Sequence, residues 1–330
     1  MALASTTLVD RLRSGDTRAL ARAISTVENR SAGWSELLKA LFPYTGKARV
    51  IGLTGAPGSG KSTLVDQLAK HYRQKPAKNE KEYKTVGIIA VDPTSPYTGG
   101  AILGDRIRMQ DHHGDPGIFI RSMATRGSLG GLARATADAA TVLDASGRDL
   151  VMIETVGVGQ DEVDIVRLAD VTIVILVPGM GDDVQSIKAG IMEIADIFVI
   201  NKSDRAGAEN VEREIRAMQS LATRAREDHW TPPIVKTVAS EGVGVEELAK
   251  AIADYEAYLK KGNLVFKKNV ENWQERLVEM LRDAMLEKAR AKMDGGSLER
   301  YAAEIAEHKR DPYSLVEELV KEIAPALKPK

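Results

Sequence analysis

The stretch Gly55-Ala56-Pro57-Gly58-Ser59-Gly60-Lys61-Ser62 follows the pattern GxxxxGK[ST], between the apolar, strand-like Val50-Ile51-Gly52-Leu53 and the helical Thr63-Leu64-Val65-Asp66-Gln67-Leu68. Strand, glycine-rich loop and helix in that order build an anion cradle. The loop turns its backbone N–H groups inward, the glycines keep side chains out of the approach, and the helix N-terminus faces the phosphates. In such a loop Lys61 meets the β- and γ-phosphates and Ser62 ligates Mg2+. Gly55, Ala56, Pro57, Gly58, Ser59, Gly60, Lys61, Ser62 and Thr63 are therefore the expected phosphate-binding residues, and the expected ligand is a nucleoside triphosphate with its magnesium ion.

A second pattern, remote in sequence, selects the base. The apolar run Ile197-Phe198-Val199-Ile200 leads into Asn201-Lys202-Ser203-Asp204, an NKxD tetrad. In that arrangement Asp204 accepts from the ring N–H and the exocyclic amine of guanine, a donor pair that adenine does not offer. Hydrogen bonds to a charged group are worth about 1.5–3 kcal/mol each, so losing them against ATP lowers affinity by orders of magnitude. GTP and its product GDP are the expected ligands, with Asn201, Lys202 and Asp204, and Ser240 further on, in the nucleotide-binding set. The competing reading of the tetrad is an ordinary strand-end turn, since Asn and Asp both favour turns.

Composition narrows the class without naming a substrate. A chain of 330 residues, 43% hydrophobic and 28% charged, can bury the core of one large domain with appendages. Lys+Arg 46 against Asp+Glu 47 leave a net charge of -1, so no global field draws the protein to nucleic acid or an anionic membrane, and neither is expected as a partner. The chain has no cysteine, which excludes disulfides, thiolate metal sites and cysteine catalysis. The longest apolar runs, such as Val171-Thr172-Ile173-Val174-Ile175-Leu176-Val177, are too short to span a bilayer, and the N-terminus carries no secretion pattern. Cytoplasm is the expected compartment, with a processed organellar protein left open.

Along the chain apolar runs alternate with helical segments, the βαβ pattern of a parallel sheet covered on both faces. Candidate strands are 49–54, 85–91, 149–154, 171–177, 196–201 and 233–239, with 117–122 as an addition, and helical stretches fall at 62–73, 130–146, 183–194, 208–227 and 243–260. The expected fold class is α/β: a doubly wound, mostly parallel P-loop domain over 46–262, with a helical N-terminal extension over 1–45 and a helical C-terminal segment over 263–330. In the N-terminal extension Leu8, Leu12, Leu20, Ile24, Leu37, Leu38 and Leu41 form apolar faces. Past a hinge-like Lys260-Lys261-Gly262-Asn263, Trp273, Leu277, Leu281 and Met285 make one stripe and Leu315, Val316, Leu319, Val320 and Ile323 another. Periodicity leaves two readings of these stripes open, packing on the nucleotide domain or a subunit interface.

Between the two nucleotide motifs lie candidates for sensing the γ-phosphate. The strand Asp149-Leu150-Val151-Met152-Ile153-Glu154 ends in a carboxylate placed to hold Mg2+, directly or through water, and in the following Thr155-Val156-Gly157-Val158-Gly159-Gln160 the N–H of Gly157 is placed for a γ-phosphate oxygen. The alternative for Glu154 is a cap on the next helix. Many GTPases carry a Gln directly after that glycine to orient water; here the residue is Val158, so slow intrinsic hydrolysis is expected unless a partner or Gln160 intervenes. The glycine- and proline-rich 92–108 reads as a first switch segment, with Asp92 at the carboxyl edge of the sheet and Asp105 placed to reach the metal on closure. Arg108 is a phosphate-side alternative, and a turn residue and an N-cap are the plain readings of the two aspartates.

These residues resemble one family closely, the MeaB-type GTPases, also called the ArgK/methylmalonic aciduria type A group. The resemblance is carried by Val91-Asp92-Pro93-Thr94-Ser95-Pro96, Gly99-Gly100-Ala101-Ile102-Leu103-Gly104-Asp105-Arg106, Arg126-Gly127-Ser128-Leu129-Gly130-Gly131-Leu132 and Glu154-Thr155-Val156-Gly157-Val158-Gly159-Gln160-Asp161-Glu162, and it runs through most of the chain. It implies a chaperone of the adenosylcobalamin-dependent methylmalonyl-CoA mutase, homodimeric through its C-terminal helices, that uses GTP to gate cofactor loading and protects or reactivates the mutase. It also implies a further mobile loop matching Gly179-Met180-Gly181-Asp182-Asp183-Val184-Gln185-Ser186-Ile187-Lys188, in which Lys188 is a candidate hydrolysis-stabilising cation and a plain capped helix start is the competing reading. Two rivals stay in view. A metal-inserting GTPase needs His or Cys clusters, and this chain offers as a pair only the adjacent His112-His113, which point to different faces of a helix. A small-molecule kinase or transport ATPase has no use for the guanine tetrad.

Overall fold

The computed structural model describes residues 2–74, 85–92, 114–124, 131–155, 168–179, 194–222, 230–262, 264–292 and 297–323. Seven strands form one sheet: β1 (Arg49–Gly55), β2 (Val86–Asp92), β3 (Ile118–Ala124), β4 (Leu150–Glu154), β5 (Val171–Leu176), β6 (Ile197–Asn201) and β7 (Ile234–Thr237). Their order is β3-β2-β4-β1-β5-β6-β7 and every neighbouring pair is parallel. The seventh candidate strand, 117–122, is real and lies at the sheet edge. Strands β4, β5 and β6 are buried along their whole length, as near-continuous Val/Ile runs require when helices cover both faces.

Three aspartates fix the register at the amino edge of the sheet. Asp149, Asp170 and Asp196 each immediately precede a strand, and each exchanges two hydrogen bonds with a residue of the neighbouring strand or its entry. The N–H of Asp149 donates to Thr85 O (3.1 Å) while its carboxylate accepts the Thr85 N–H (2.7 Å). Asp170 does the same with Val50 (2.8 and 2.7 Å) and Asp196 with Thr172 (2.9 and 2.8 Å). Asp144 holds the approach to β1, accepting from the N–H groups of Gly46, Lys47 and Ala48. Side chains thus satisfy backbone donors at the entry edge, while the opposite, carboxyl edge carries the loops.

Among the described residues seven helices belong with this sheet: α1 (Ala2–Arg13), α2 (Thr17–Glu28), α3 (Trp34–Leu41), α4 (Lys61–Gln74), α5 (Gly131–Ala145), α6 (Ala208–Ala222) and α7 (Val245–Lys261). Asp16 caps α2 by accepting from the N–H groups of Ala19 (3.0 Å) and Arg18 (2.9 Å), and those bonds, with the Arg11 guanidinium, hold its carboxyl below the usual range. Ala19, Leu20, Ala23, Ile24 and Val27 line the buried face of α2 and join Leu12, Leu37 and Leu41 in a single cluster with Ile89, Val91, Val151 and Ile153 of the sheet. The N-terminal helices therefore share the core of the nucleotide-binding unit, and Met1–Gly262 is one compact unit.

Asn263–Lys330 is a second unit, built from α8 (Leu264–Lys292), α9 (Ser297–Ala306) and α10 (Pro312–Ile323), in which α8 and α10 touch. Asp311 caps α10 through the N–H groups of Tyr313 and Ser314. Of the two sequence stripes, Leu315 is buried, whereas Trp273, Leu277 and Leu281 expose 40%, 57% and 60% of their surface. The expected helix over 183–194 lies outside the described residues but for its last position. Strand β7 stops at Thr237, short of the expected 239, because Ala239–Glu241 turns into a 3-10 helix and the N–H of Ala239 is bonded to a side chain of β6. Among the described residues no helix is long and apolar enough to cross a membrane.

Candidate nucleotide site

The phosphate loop leaves the carboxyl end of β1, the strand flanked by β4 and β5, where the direction of winding reverses and open parallel sheets bind ligands. Two of its glycines are dictated by neighbours far away in sequence. At Gly55 (φ 150°) a Cβ would lie 2.3 Å from Ile175 O on β5, and at Gly60 (φ 92°) it would lie 2.3 Å from Asn201 Nδ2. Lys61, the first residue of α4, is buried, and its Nζ donates to Gly55 O (2.8 Å) and Ala56 O (3.1 Å), which keeps the ammonium inside the mouth of the loop. Ala56, Pro57, Gly58 and Thr63 are partly or fully open to solvent, whereas Ser59 is completely buried.

The guanine tetrad is bonded directly to that loop. Asn201 is 2% exposed and ends β6. Its Nδ2 donates to Ser59 O (2.8 Å), and its Oδ1 accepts from Thr237 Oγ1 (3.0 Å) and Ala239 N–H (3.0 Å). Lys202 has a left-handed backbone (φ 54°) and stretches over the loop so that Nζ donates to Gly58 O (2.7 Å). Asn201 and Lys202 are thus committed to holding the loop, and Asp204, two residues on, is exposed. Ser240 is also exposed, in the 3-10 turn beside Ala239 that the Asn201 amide pins. Sequence reading placed all four near the ligand; that Asn201 and Lys202 bond to the phosphate loop while Asp204 and Ser240 stay exposed is visible only here.

On the other flank Ser62 Oγ donates to Glu154 Oε1 at 2.6 Å, both side chains buried. A hydroxyl and a carboxylate at a helix N-terminus are hard oxygen donors of the kind Mg2+ takes, so the residues fit that ion. Glu154 ends β4 in register with Leu53 of β1, which brings it over the first turn of α4. Asp92 ends β2, two strands from β1, paired with Ala124 of β3, so its backbone lies at the same carboxyl edge. Asp105, Arg108, His112, His113, Gly157, Val158, Gln160 and Lys188 lie outside the described residues. Among the described residues no group of three or more His, Cys, Asp or Glu is arranged to hold a metal. The strand ends carry one contact that sequence reading missed: Thr155 Oγ1 donates to Thr54 Oγ1 at 3.0 Å, and both are buried. Its signal was two threonines closing two adjacent apolar strands.

The end of β6 delivers the NKxD tetrad onto the phosphate loop, an arrangement that suits a guanine nucleotide, and the comparisons with known proteins show the family. The family described as methylmalonyl Co-A mutase-associated GTPase MeaB matches residues 20–294. The chain belongs to the MeaB family of GTPases. A candidate GTPase of Pyrococcus abyssi is 48% identical over 317 residues, covering 96% of each chain. The GTPase ArgK of Escherichia coli is 38% identical over 257 residues, 76% of each chain. Among solved structures, one titled as a LAO/AO transport system kinase is similar at a TM-score of 0.69 and 27% identity, covering 97% of both chains. This MeaB-family protein is therefore a GTPase that binds GTP and GDP on a P-loop fold.

Proposed function

We propose that this MeaB-family GTPase is a chaperone of the adenosylcobalamin-dependent methylmalonyl-CoA mutase, using the GTP cycle to gate cofactor loading and to protect or reactivate the enzyme. The observation that carries the reading is the direct bonding of Asn201 and Lys202 to the phosphate loop, which supports a coupling of base recognition to phosphate grip. The family's own description, naming association with that mutase, supports the partner. The exposure of Leu277 and Leu281 on α8 supports a homodimer formed through the C-terminal helices.

In this reading Lys61 and the loop N–H groups hold the triphosphate, Asp204 and Ser240 take the guanine, and Ser62 and Glu154 hold Mg2+ with Asp92 and Asp105. A metal ion held by those side chains would supply positive charge against the phosphates. Gly157 donates to the γ-phosphate and Lys188 adds positive charge as hydrolysis proceeds. Valine at 158 presents no group to orient water, so intrinsic turnover is slow and the partner sets the rate. The test is capture of the mutase from solution by the full chain loaded with GDP or with a non-hydrolysable GTP analogue. Capture should differ between the two states; equal capture would remove nucleotide gating, and no capture in either state would remove the mutase.

A further inference from the structure

The threonine pair that closes β1 and β4 does more than fill the core. Thr54 directly precedes Gly55 of the phosphate loop, and Thr155 directly follows Glu154. Their hydroxyls meet at 3.0 Å, and the Thr155 N–H donates to Leu53 O at 3.1 Å, so the end of β4 is tied to β1 by both side chain and backbone. Thr155 is 1% exposed and Thr54 is 0% exposed. A hydrogen bond shut away from water keeps more of its strength and its geometry than one at the surface.

A second link ties the end of β4 to the start of α4, the Ser62–Glu154 bond. Ser62 and Glu154 are the proposed metal ligands, and a cation drawing on the lone pairs of both weakens what they give each other. The threonine pair involves neither ligand and keeps its bond whether or not the ion is there. We infer that Thr54 and Thr155 are positioning residues for magnesium: they hold the tip of β4 so that the Glu154 carboxylate stays over Ser62 at the start of α4. The inference rests on the reading of Glu154 as a metal-side residue, and its test separates the two.

The experiment is a Mg2+ titration of binding of a fluorescent GDP analogue to the full chain, with a parallel measurement of nucleotide affinity in excess EDTA. Thr155→Val removes the hydroxyl and keeps the shape; Thr155→Ser keeps the hydroxyl; Thr54→Val tests the same bond from the other strand. Half-saturating Mg2+ should rise about five-fold in Thr155→Val and in Thr54→Val, the equivalent of one ordinary hydrogen bond, with affinity in EDTA unchanged. Thr155→Ser should return it to the native value. Glu154→Gln, run alongside, should raise it further. If Glu154→Gln shifts the Mg2+ requirement and neither valine variant does, the positioning role is wrong while the metal reading stands. If Glu154→Gln leaves it unmoved, the metal reading itself fails. Equal weakening in EDTA and in Mg2+, or failure of both valine variants to fold while the serine variant folds, assigns the pair to the core alone and overturns the inference.

Discussion

Replacing Asn201 by alanine removes three buried hydrogen bonds at once: to Ser59 O at 2.8 Å, from Thr237 Oγ1 at 3.0 Å and from the Ala239 N–H at 3.0 Å. At a net worth of about 0.5–1.5 kcal/mol each, and with the freed amide and carbonyl groups shut away from water, the loss is roughly 3 kcal/mol of folding free energy. The functional consequence follows from where the bonds go. One end of the strut holds the phosphate loop at Ser59 and the other holds the turn that carries Ser240, so losing it loosens the grip on phosphate and leaves the choice of base to Asp204. Urea unfolding of wild type and Asn201→Ala measures the first effect as a lower midpoint at unchanged slope. Competition binding of GTP, XTP and ITP measures the second as similar weakening of all three. An unfolding free energy within about 0.5 kcal/mol of wild type, the range typical of surface substitutions, would refute the strut. So would a variant that keeps its grip on phosphate but changes base preference, because Asn201 would then be reading the base.

Asp204→Asn should move preference from GTP to XTP, since an amide offers xanthine the donor that a carboxylate lacks; competition binding with unchanged GTP preference would take Asp204 out of the base site. Tyr72 titrates at the entry end of β1, where burial pushes its hydroxyl up to about 12 against the opposing pull of Arg49. Its folded value lies above its unfolded value of 10.0, so its contribution is full below pH 10 and is lost as pH rises toward 12. Tyr72→Phe should therefore flatten the fall of Tm between pH 10 and 12, and parallel Tm curves for the two proteins would dismiss the effect.

Much of this architecture was legible because its signals are local. A loop that must approach phosphate needs glycines, and a strand buried on both faces needs an unbroken apolar run; each leaves a mark within ten residues. The phosphate loop, the six main strands and the tetrad at the end of β6 came through for that reason. The edge strand β3 was harder, since Ile118–Ala124 carries Arg121 and Ser122 amid its apolar residues. Arg121 is there to pair with Glu28 of α2, a partner 93 residues away, so the polarity that blurs the strand signal serves a tertiary contact. The register aspartates were equally hidden. Spacing puts Asp149 and Asp196 at strand starts, and only the neighbouring strand reveals that each carboxylate, like that of Asp170, accepts a backbone N–H.

By itself the sequence determined that this chain folds as a parallel α/β sheet around a phosphate loop and that it selects guanine, because those properties depend on residue types at fixed short spacings. Tertiary structure decided how the labour is divided. That Gly60 must be glycine because Asn201 stands where its Cβ would be, that Asn201 and Lys202 are struts while Asp204 faces outward, and that Thr54 meets Thr155 are facts about residues 101 to 144 positions apart, brought together by strand order. Spacing along the chain carries no information about them, since the order in which parallel strands lie side by side is set by how their buried faces and crossover helices pack.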